Sequence, residues 1–261
     1  MAWPFESRTQ TKTPRGSPGK LGYVIGDVHG RLDLLDSLLS KIAVHRRAFS
    51  DSEAHVILLG DVIDRGPDSR GVLNRLRAGL AFDAKLHILK GNHEEMMVDA
   101  LSGATHRLQS WLSSGGYACA RSYGVEVGGL FGEDPTTLEA RLLASIPQTD
   151  IAFLDSFLDC ISFGDYFFAH AGVRPGRAID EQTAQDLRWI RAPFLRSNAD
   201  HGAVVVHGHS VTLEVEERRN RIGIDTGAWK TGVLTALWIR EDRRGLIQAN
   251  GDPMPEDGWH Q

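Results

Sequence analysis

Five short apolar runs in this 261-residue chain end the same way, at a glycine-rich turn carrying a polar residue of metal-ligand type. Residues 21–25 lead into Gly26-Asp27-Val28-His29-Gly30, and residues 55–59 into Gly60-Asp61-Val62-Ile63-Asp64-Arg65-Gly66. Residues 85–90 lead into Gly91-Asn92-His93-Glu94, residues 166–169 into His170-Ala171-Gly172, and residues 203–206 into His207-Gly208-His209-Ser210. Each run has strand length and β-branched or aromatic content. After the first turn, Leu32, Leu35, Leu38, Leu39 and Ile42 recur on one helical face; after the second, Leu73, Leu76 and Leu80 repeat the pattern more weakly. Strand, polar turn, helix is the grammar of a layered α/β fold, whose sites form beyond the carboxyl ends of the strands.

Residues 221–224 and 232–239 read as further strands around the tight turn Asp225-Thr226-Gly227. Between the third and fourth turns, residues 95–160 carry no comparable motif. Short helices are expected around Met96, Met97 and Leu101, over 138–143 and over 154–158, forming a cap or flank that shapes a cleft. Trp111, Gly115 and Gly116 read as a packed turn within it. No linker or repeat interrupts residues 21–240. One catalytic domain over 21–245 is therefore expected, between a flexible extension at 1–20 and a loose, Pro/Gly-rich tail at 246–261.

A hydrophobic content of 41% with 24% charged residues fits a globular core, and a net charge of -5 argues against nonspecific nucleic-acid binding. No run approaches the roughly eighteen consecutive apolar residues of a membrane span, and the polar first twenty residues lack the apolar core of a secretory signal. A cytoplasmic protein with no stable nucleic-acid or membrane partner is expected. Cys119 and Cys160 read as buried thiols.

The turns hold the chemistry. Asp27 and His29 lie two apart, so an extended backbone points both side chains the same way, toward one metal. Asp61 can bridge two ions through its two carboxylate oxygens. Asn92 offers a neutral oxygen, and His170 and His209 offer imidazole nitrogens. Such a mixed set suits Mn2+, Fe2+ or Zn2+ and is too nitrogen-rich for Ca2+. Two ions roughly 3.5–4 Å apart can activate water and clamp a phosphoryl group. Any one turn alone is weak evidence, but five after five strands are hard to explain as structure.

His93 and Asp64 are the candidate acid–base pair, with Asp64 fixing the imidazole tautomer and favouring its charged form. Arg65 and Arg191 are candidate phosphate clamps. Arg188, in the opposite phase, reads as a surface residue. His207 stands two before His209, so one can bind metal while the other supports it. Trp189 and Trp229 read as packing, and His45, His55, His87, His106 and His201 have no assigned role. The chain has neither a P-loop nor a nucleophile elbow.

The first three turns resemble the three signatures of the phosphoprotein phosphatase family, within the calcineurin-like metallophosphoesterase superfamily. The resemblance continues through His170-Ala171-Gly172 and Gly208-His209-Ser210 and covers residues 21–231. It implies a four-layer αββα fold, a central β-sandwich flanked by helices. It also implies one metal held by Asp27, His29 and Asp61, and a second held by Asp61, Asn92, His170 and His209. Mn2+ is the expected occupant, with Fe or Zn as alternatives. Arg65 and Arg191 would then hold the substrate phosphate, and His93 with Asp64 would assist the leaving group after direct attack of water on phosphorus.

Ala171-Gly172 and Ile224-Asp225-Thr226-Gly227 look like the compact bacterial and phage members. The same features resemble the symmetrical diadenosine tetraphosphate hydrolases, whose second signature usually lacks the Asp-Arg-Gly ending kept here. The expected activity is therefore that of a serine/threonine protein phosphatase acting on phosphoprotein or small phosphoester substrates. The alternatives are the tetraphosphate hydrolase and a catalytically silent phosphate-binding domain. The last should have lost a ligand residue, and none is missing.

Overall fold

The computed structural model describes residues 13–126 and 134–254, so most of the expected extension and the end of the expected tail lie outside the described residues. In chain order the strands are β1 (Lys20–Ile25), β2 (Glu53–Leu58), β3 (Lys85–Ile88), β4 (Cys160–Phe163), β5 (Tyr166–Ala169), β6 (Val204–His207), β7 (Glu216–Glu217), β8 (Arg221–Gly223), β9 (Val233–Arg240) and β10 (Arg243–Asn250). They form two five-stranded sheets, ordered β10-β9-β1-β2-β3 and β4-β5-β6-β8-β7.

The period-2 alternation of the strands sorts their side chains into layers. Val24 and Ile57 point between the sheets, where they meet Phe168, Val204, Val206 and Ile222. Their neighbours Tyr23, Ile25, Val56 and Leu58 point the other way, onto Leu34, Leu35, Leu38 and Ile42 of α1 (Leu32–Arg46) and onto Val72 and Leu73 of α2 (Ser69–Arg77). On the second sheet Phe167 and Val205 face outward, onto Leu187 and Phe194. Helix, sheet, sheet, helix is the four-layer αββα arrangement.

The remaining helices are α3 (Asn92–Leu101), α4 (Leu108–Trp111), α5 (Tyr117–Ser122), α6 (Pro135–Ser145), α7 (Gln148–Asp155), α8 (Ala184–Trp189), α9 (Ala192–Leu195) and α10 (Ala228–Thr231). Helices α3 to α7 make the expected flank. The last expected helix is shifted: α7 stops at Asp155, because Leu158 already bonds to β3 as extended chain, donating to Ile88 O and accepting from Lys90 N.

Both chain-end expectations need correction where the residues are described. Residues 246–250, read as the start of a loose tail, are the last five of the eight residues of β10, paired antiparallel along β9. Residues of the expected extension are pinned too, with Gly16 N donating to Glu241 O and Arg15 N to Asp165. Of the two thiols, Cys119 is buried but Cys160 only half-buried. Among the described residues no helix is long and apolar enough to cross a membrane.

Parallel pairing brings the five turns to one edge. Strands β1, β2 and β3 run in register from Ile25 to Leu58 to Ile88, so their turns leave side by side. β5, β6 and β8 are likewise parallel, and His170 O accepts from Gly208 N. The two sets of turns meet across the sandwich where Asp27 Oδ2 accepts the His209 amide at 2.9 Å.

Candidate metal centre

The backbone is most strained where the candidate residues sit. Among the described residues the non-glycine positions with positive φ are His29, Asp61, Asp64, Arg65, His209 and Glu241. Five of the six belong to the site, and left-handed backbone at non-glycine residues costs roughly 1–3 kcal/mol each. Missing side chains make the close approach possible. A Cβ at Gly91 would fall 2.1 Å from Asp61 Oδ1, and one at Gly208 would fall 2.0 Å from Asp27 Oδ1.

All six candidate ligands, Asp27, His29, Asp61, Asn92, His170 and His209, are at most 7% exposed. Asp61 stands between two groups of donors. Its Oδ2 lies 3.5 Å from His29 Nε2, and its Oδ1 lies 3.4 Å from His170 Nε2. His170 Nε2 is also 3.0 Å from Asn92 Oδ1 and 3.2 Å from His209 Nδ1.

Tautomers decide what these contacts are. His29 Nδ1 faces Ile63 O at 2.8 Å and His170 Nδ1 faces Leu59 O at 3.0 Å. A carbonyl only accepts, so each Nδ1 carries the proton and each Nε2 turns a lone pair toward the Asp61 carboxylate. Lone pair facing carboxylate is repulsive unless a cation lies between them. Asp27 Oδ1 is buried with no hydrogen-bond partner, which again asks for a ligand. The residues fit two divalent ions, one on each side of Asp61.

Electrostatics agree. Burial holds the His29, His170 and His209 imidazoles well below their ordinary range, His170 at about 3, so they stand neutral as ligands must. Burial, then Asp225 and Asp61, push the Asp27 carboxyl well above its range, a repulsion that cations would relieve.

His93 is less than 2% exposed and sits beside Asp61, its Nδ1 2.7 Å from Asp64 Oδ2 and its Nε2 3.0 Å from Arg65 Nη2. The guanidinium only donates, so in this arrangement Nε2 accepts and Nδ1–H points to Asp64. The expectation that Asp64 favours an imidazolium needs correction. Burial holds His93 down at about 4 and raises Asp64 well above its range, which disfavours the charged form of each. Imidazole nitrogens near Asp61 could place His93 among the metal ligands. Both of its nitrogens are already engaged, whereas Asp27 Oδ1 is not.

Arg191 is exposed at the cleft and adds positive potential at His93, His170 and His209. Arg188 does not lie free on the surface. Its side chain is 14% exposed and bridges Glu95 and Asp159. His207 supports no ligand, since its Nδ1 faces Gly208 O and its ring packs edge-on against Phe194.

Four residues escaped the sequence reading as contributors to the site. Glu94 is fully buried, accepting from Asp61 N and Gly91 N with Oε2 and from Val62 N with Oε1, each at 2.8–2.9 Å. As the third residue of α3 it reaches back to the helix start, half of a capping box, a pattern legible in Gly91-Asn92-His93-Glu94. Burial and Asp61 push its carboxyl up to about 8. Trp111 Nε1 donates to Asp64 at 3.1 Å, and Gly115 O accepts from Arg65 N at 3.0 Å, so the turn read as packing braces the site. Asp225, 2% exposed, sits against Asp27 as a further carboxylate, pushed up to about 6 by burial.

The Glu94 clamp gives a stability prediction. Glu94→Ala orphans buried backbone donors around Asp61 and is expected to lower the unfolding free energy by roughly 2–4 kcal/mol. Urea denaturation of metal-free protein measures it without a contribution from bound ions; a loss under 0.5 kcal/mol, about the scale of a surface change, would contradict the clamp.

Comparisons with known proteins agree with this geometry. Residues 23–228 match the model of the calcineurin-like phosphoesterase family. Serine/threonine-protein phosphatase 1 of Salmonella typhimurium is 35% identical over 94 residues, 36% of this chain and 38% of that protein's length. The symmetrical bis(5'-nucleosyl)-tetraphosphatase of Janthinobacterium is 28% identical over 82% of this chain and 91% of its own. A crystal structure of a candidate diadenosine tetraphosphatase superposes with a TM-score of 0.62 at 19% identity, covering 91% of this chain and all of that one. The chain belongs to the calcineurin-like phosphoesterase family.

Proposed function

We propose that the protein is a serine/threonine phosphomonoesterase of the protein phosphatase type. Asp27, His29 and Asp61 hold one divalent ion, and Asp61, Asn92, His170 and His209 hold the other, with Mn2+ as the favoured occupant. The observation that carries this reading is the placement of Asp61, each oxygen about 3.5 Å from a different inward-facing imidazole. Bound there, the ions supply Lewis acidity toward the phosphoryl oxygens and an activated water. Arg65 and Arg191 orient the phosphate by charged N–H donors. His93, its tautomer fixed by Asp64, would protonate the leaving oxygen from Nε2 after taking up there the proton that the attacking water gives up.

The His93–Asp64 pair favours a monoester over a dinucleoside tetraphosphate. A serine alkoxide is a poor leaving group that gains much from a positioned proton, whereas a nucleoside diphosphate leaves readily without one. The loop after His209 also presents Val211 and Leu213, 41% and 84% exposed, an apolar rim suited to side chains flanking a phosphoresidue. Symmetrical tetraphosphate hydrolysis is the second reading, favoured by the extended similarity to the Janthinobacterium enzyme.

Metal-reconstituted protein assayed on a phosphoserine peptide and on diadenosine tetraphosphate separates them. At least tenfold higher kcat/KM on the peptide, with free phosphate released, is the expected result. Preferred cleavage of the tetraphosphate into two ADP would replace the first reading with the second.

A further inference from the structure

We propose that Trp229 is a positioning residue for Arg65, holding the guanidinium toward the phosphate site by a cation–π contact. The inference rests on the reading of Arg65 as a phosphate clamp.

An arginine in an open cleft has a long side chain to immobilise, and holding it still costs about 2 kcal/mol of rotamer entropy. A carboxylate partner would hold it but would compete with phosphate for the same N–H donors. An aromatic face attracts the flat side of the guanidinium and leaves the in-plane donors for the substrate. The structure takes the second route, with one of the guanidinium donors turned to His93 and no carboxylate partner for Arg65 among the described residues. Arg65 Cζ lies 5.0 Å from the centroid of the Trp229 ring, while Nη2 reaches His93 Nε2 at 3.0 Å.

Both ends of this contact are anchored. Arg65 is fixed at its root, with φ at +65° and its amide bonded to Gly115 O at 3.0 Å. Gly115 leaves room for the side chain, since a Cβ there would come within 2.6 Å of Arg65 Cγ. Trp229 rides on α10, a short turn pinned from several sides. Arg31 Nη1 donates to Ala228 O at 2.9 Å, Gly227 N donates to Asp225 Oδ1 at 2.9 Å, and Thr231 Oγ1 donates to Thr226 O at 2.7 Å.

Among the described residues three apolar clusters make up the core, and Trp229 joins none of them. It is half-buried, and its ring meets His29 edge-on at 6.4 Å, so one side chain spans the metal-ligand candidate and the clamp. The proposal adds a positioning role to the packing expected of Trp229.

The test is competitive inhibition by inorganic phosphate of metal-loaded full-length protein hydrolysing p-nitrophenyl phosphate, with metal content and Tm measured on every variant. Trp229→Leu is expected to raise the phosphate inhibition constant about five- to tenfold at full metal occupancy and unchanged Tm. Trp229→Phe, which keeps an aromatic face, should stay within about twofold to threefold of the wild type. Arg65→Ala should raise the constant by about tenfold or more, and adding Trp229→Leu to it should change little further. An unchanged constant in Trp229→Leu beside a raised one in Arg65→Ala would overturn the Trp229 proposal and leave the clamp standing. An unchanged constant in Arg65→Ala would overturn the clamp itself, and the inference with it. Loss of metal or of fold in Trp229→Leu, or equal effects of Leu and Phe, would make Trp229 structural and also overturn the proposal.

Discussion

Asp61→Asn is expected to lose at least about 10³-fold in kcat/KM and to bind neither ion tightly, because electrostatic stabilisation by bound charge is the largest single contribution to phosphoryl-transfer catalysis. One carboxylate oxygen becomes an N–H donor, so whichever way the amide turns, one side of the bridge loses its anionic ligand. His29→Ala should empty mainly the first position, since His29 Nε2 lies 3.5 Å from Asp61 Oδ2 on that side of the carboxylate. The same geometry predicts an opposite effect on the metal-free protein. There the Asp61 carboxylate faces two imidazole lone pairs in a buried site, and an amide relieves that repulsion. Metal-free Asp61→Asn should therefore unfold at the same or a higher temperature than metal-free wild type. Metal analysis after dialysis, kinetics and a thermal melt check the three parts separately.

His93→Asn is expected to cost about 10²- to 10³-fold in kcat/KM on a phosphoserine peptide but less than about tenfold on p-nitrophenyl phosphate. A general acid matters in proportion to how poor the leaving group is, and p-nitrophenolate leaves readily without a proton. Asp64→Asn should show the same pattern more weakly, since its side chain orients the imidazole from 2.7 Å and is fully buried beneath it. Chemistry must limit both rates for the comparison to hold, which pre-steady-state bursts report. Equal losses on the two substrates at full metal occupancy would remove the acid role and leave His93 as a phosphate- or water-positioning group.

Much of the site was legible because each ligand candidate sits directly after a strand, where a short apolar run and a glycine turn are strong local signals. The structure brings all of Asp27, His29, Asp61, Asn92, His170 and His209 to one edge, as parallel pairing requires. The second sheet was visible only through the family resemblance. A run such as Tyr23-Val24-Ile25 is buried on both faces, and nothing local says that Val24 meets strands while its neighbours meet helices. β10 was missed because Arg243, Arg244, Gln248 and Asn250 break up any apolar run, and residues from 246 on read as the start of a tail, although alternation across from β9 is how an edge strand looks. The bond from Trp111 to Asp64 joins residues 47 apart, and no periodicity reports such a contact. Glu94 was within reach: a glutamate three residues past a glycine N-cap is a capping signal, passed over because its neighbours were more chemically suggestive.

The central claim is that Asp61 bridges two ions and that both are needed for hydrolysis. It is tested most directly by titrating metal-stripped wild type with Mn2+ while following bound metal per chain and the rate of p-nitrophenyl phosphate hydrolysis. Two equivalents bound per chain, with activity appearing only as the second site fills, is the result this account predicts. Full activity at one equivalent, or hydrolysis that survives complete metal removal, would contradict it.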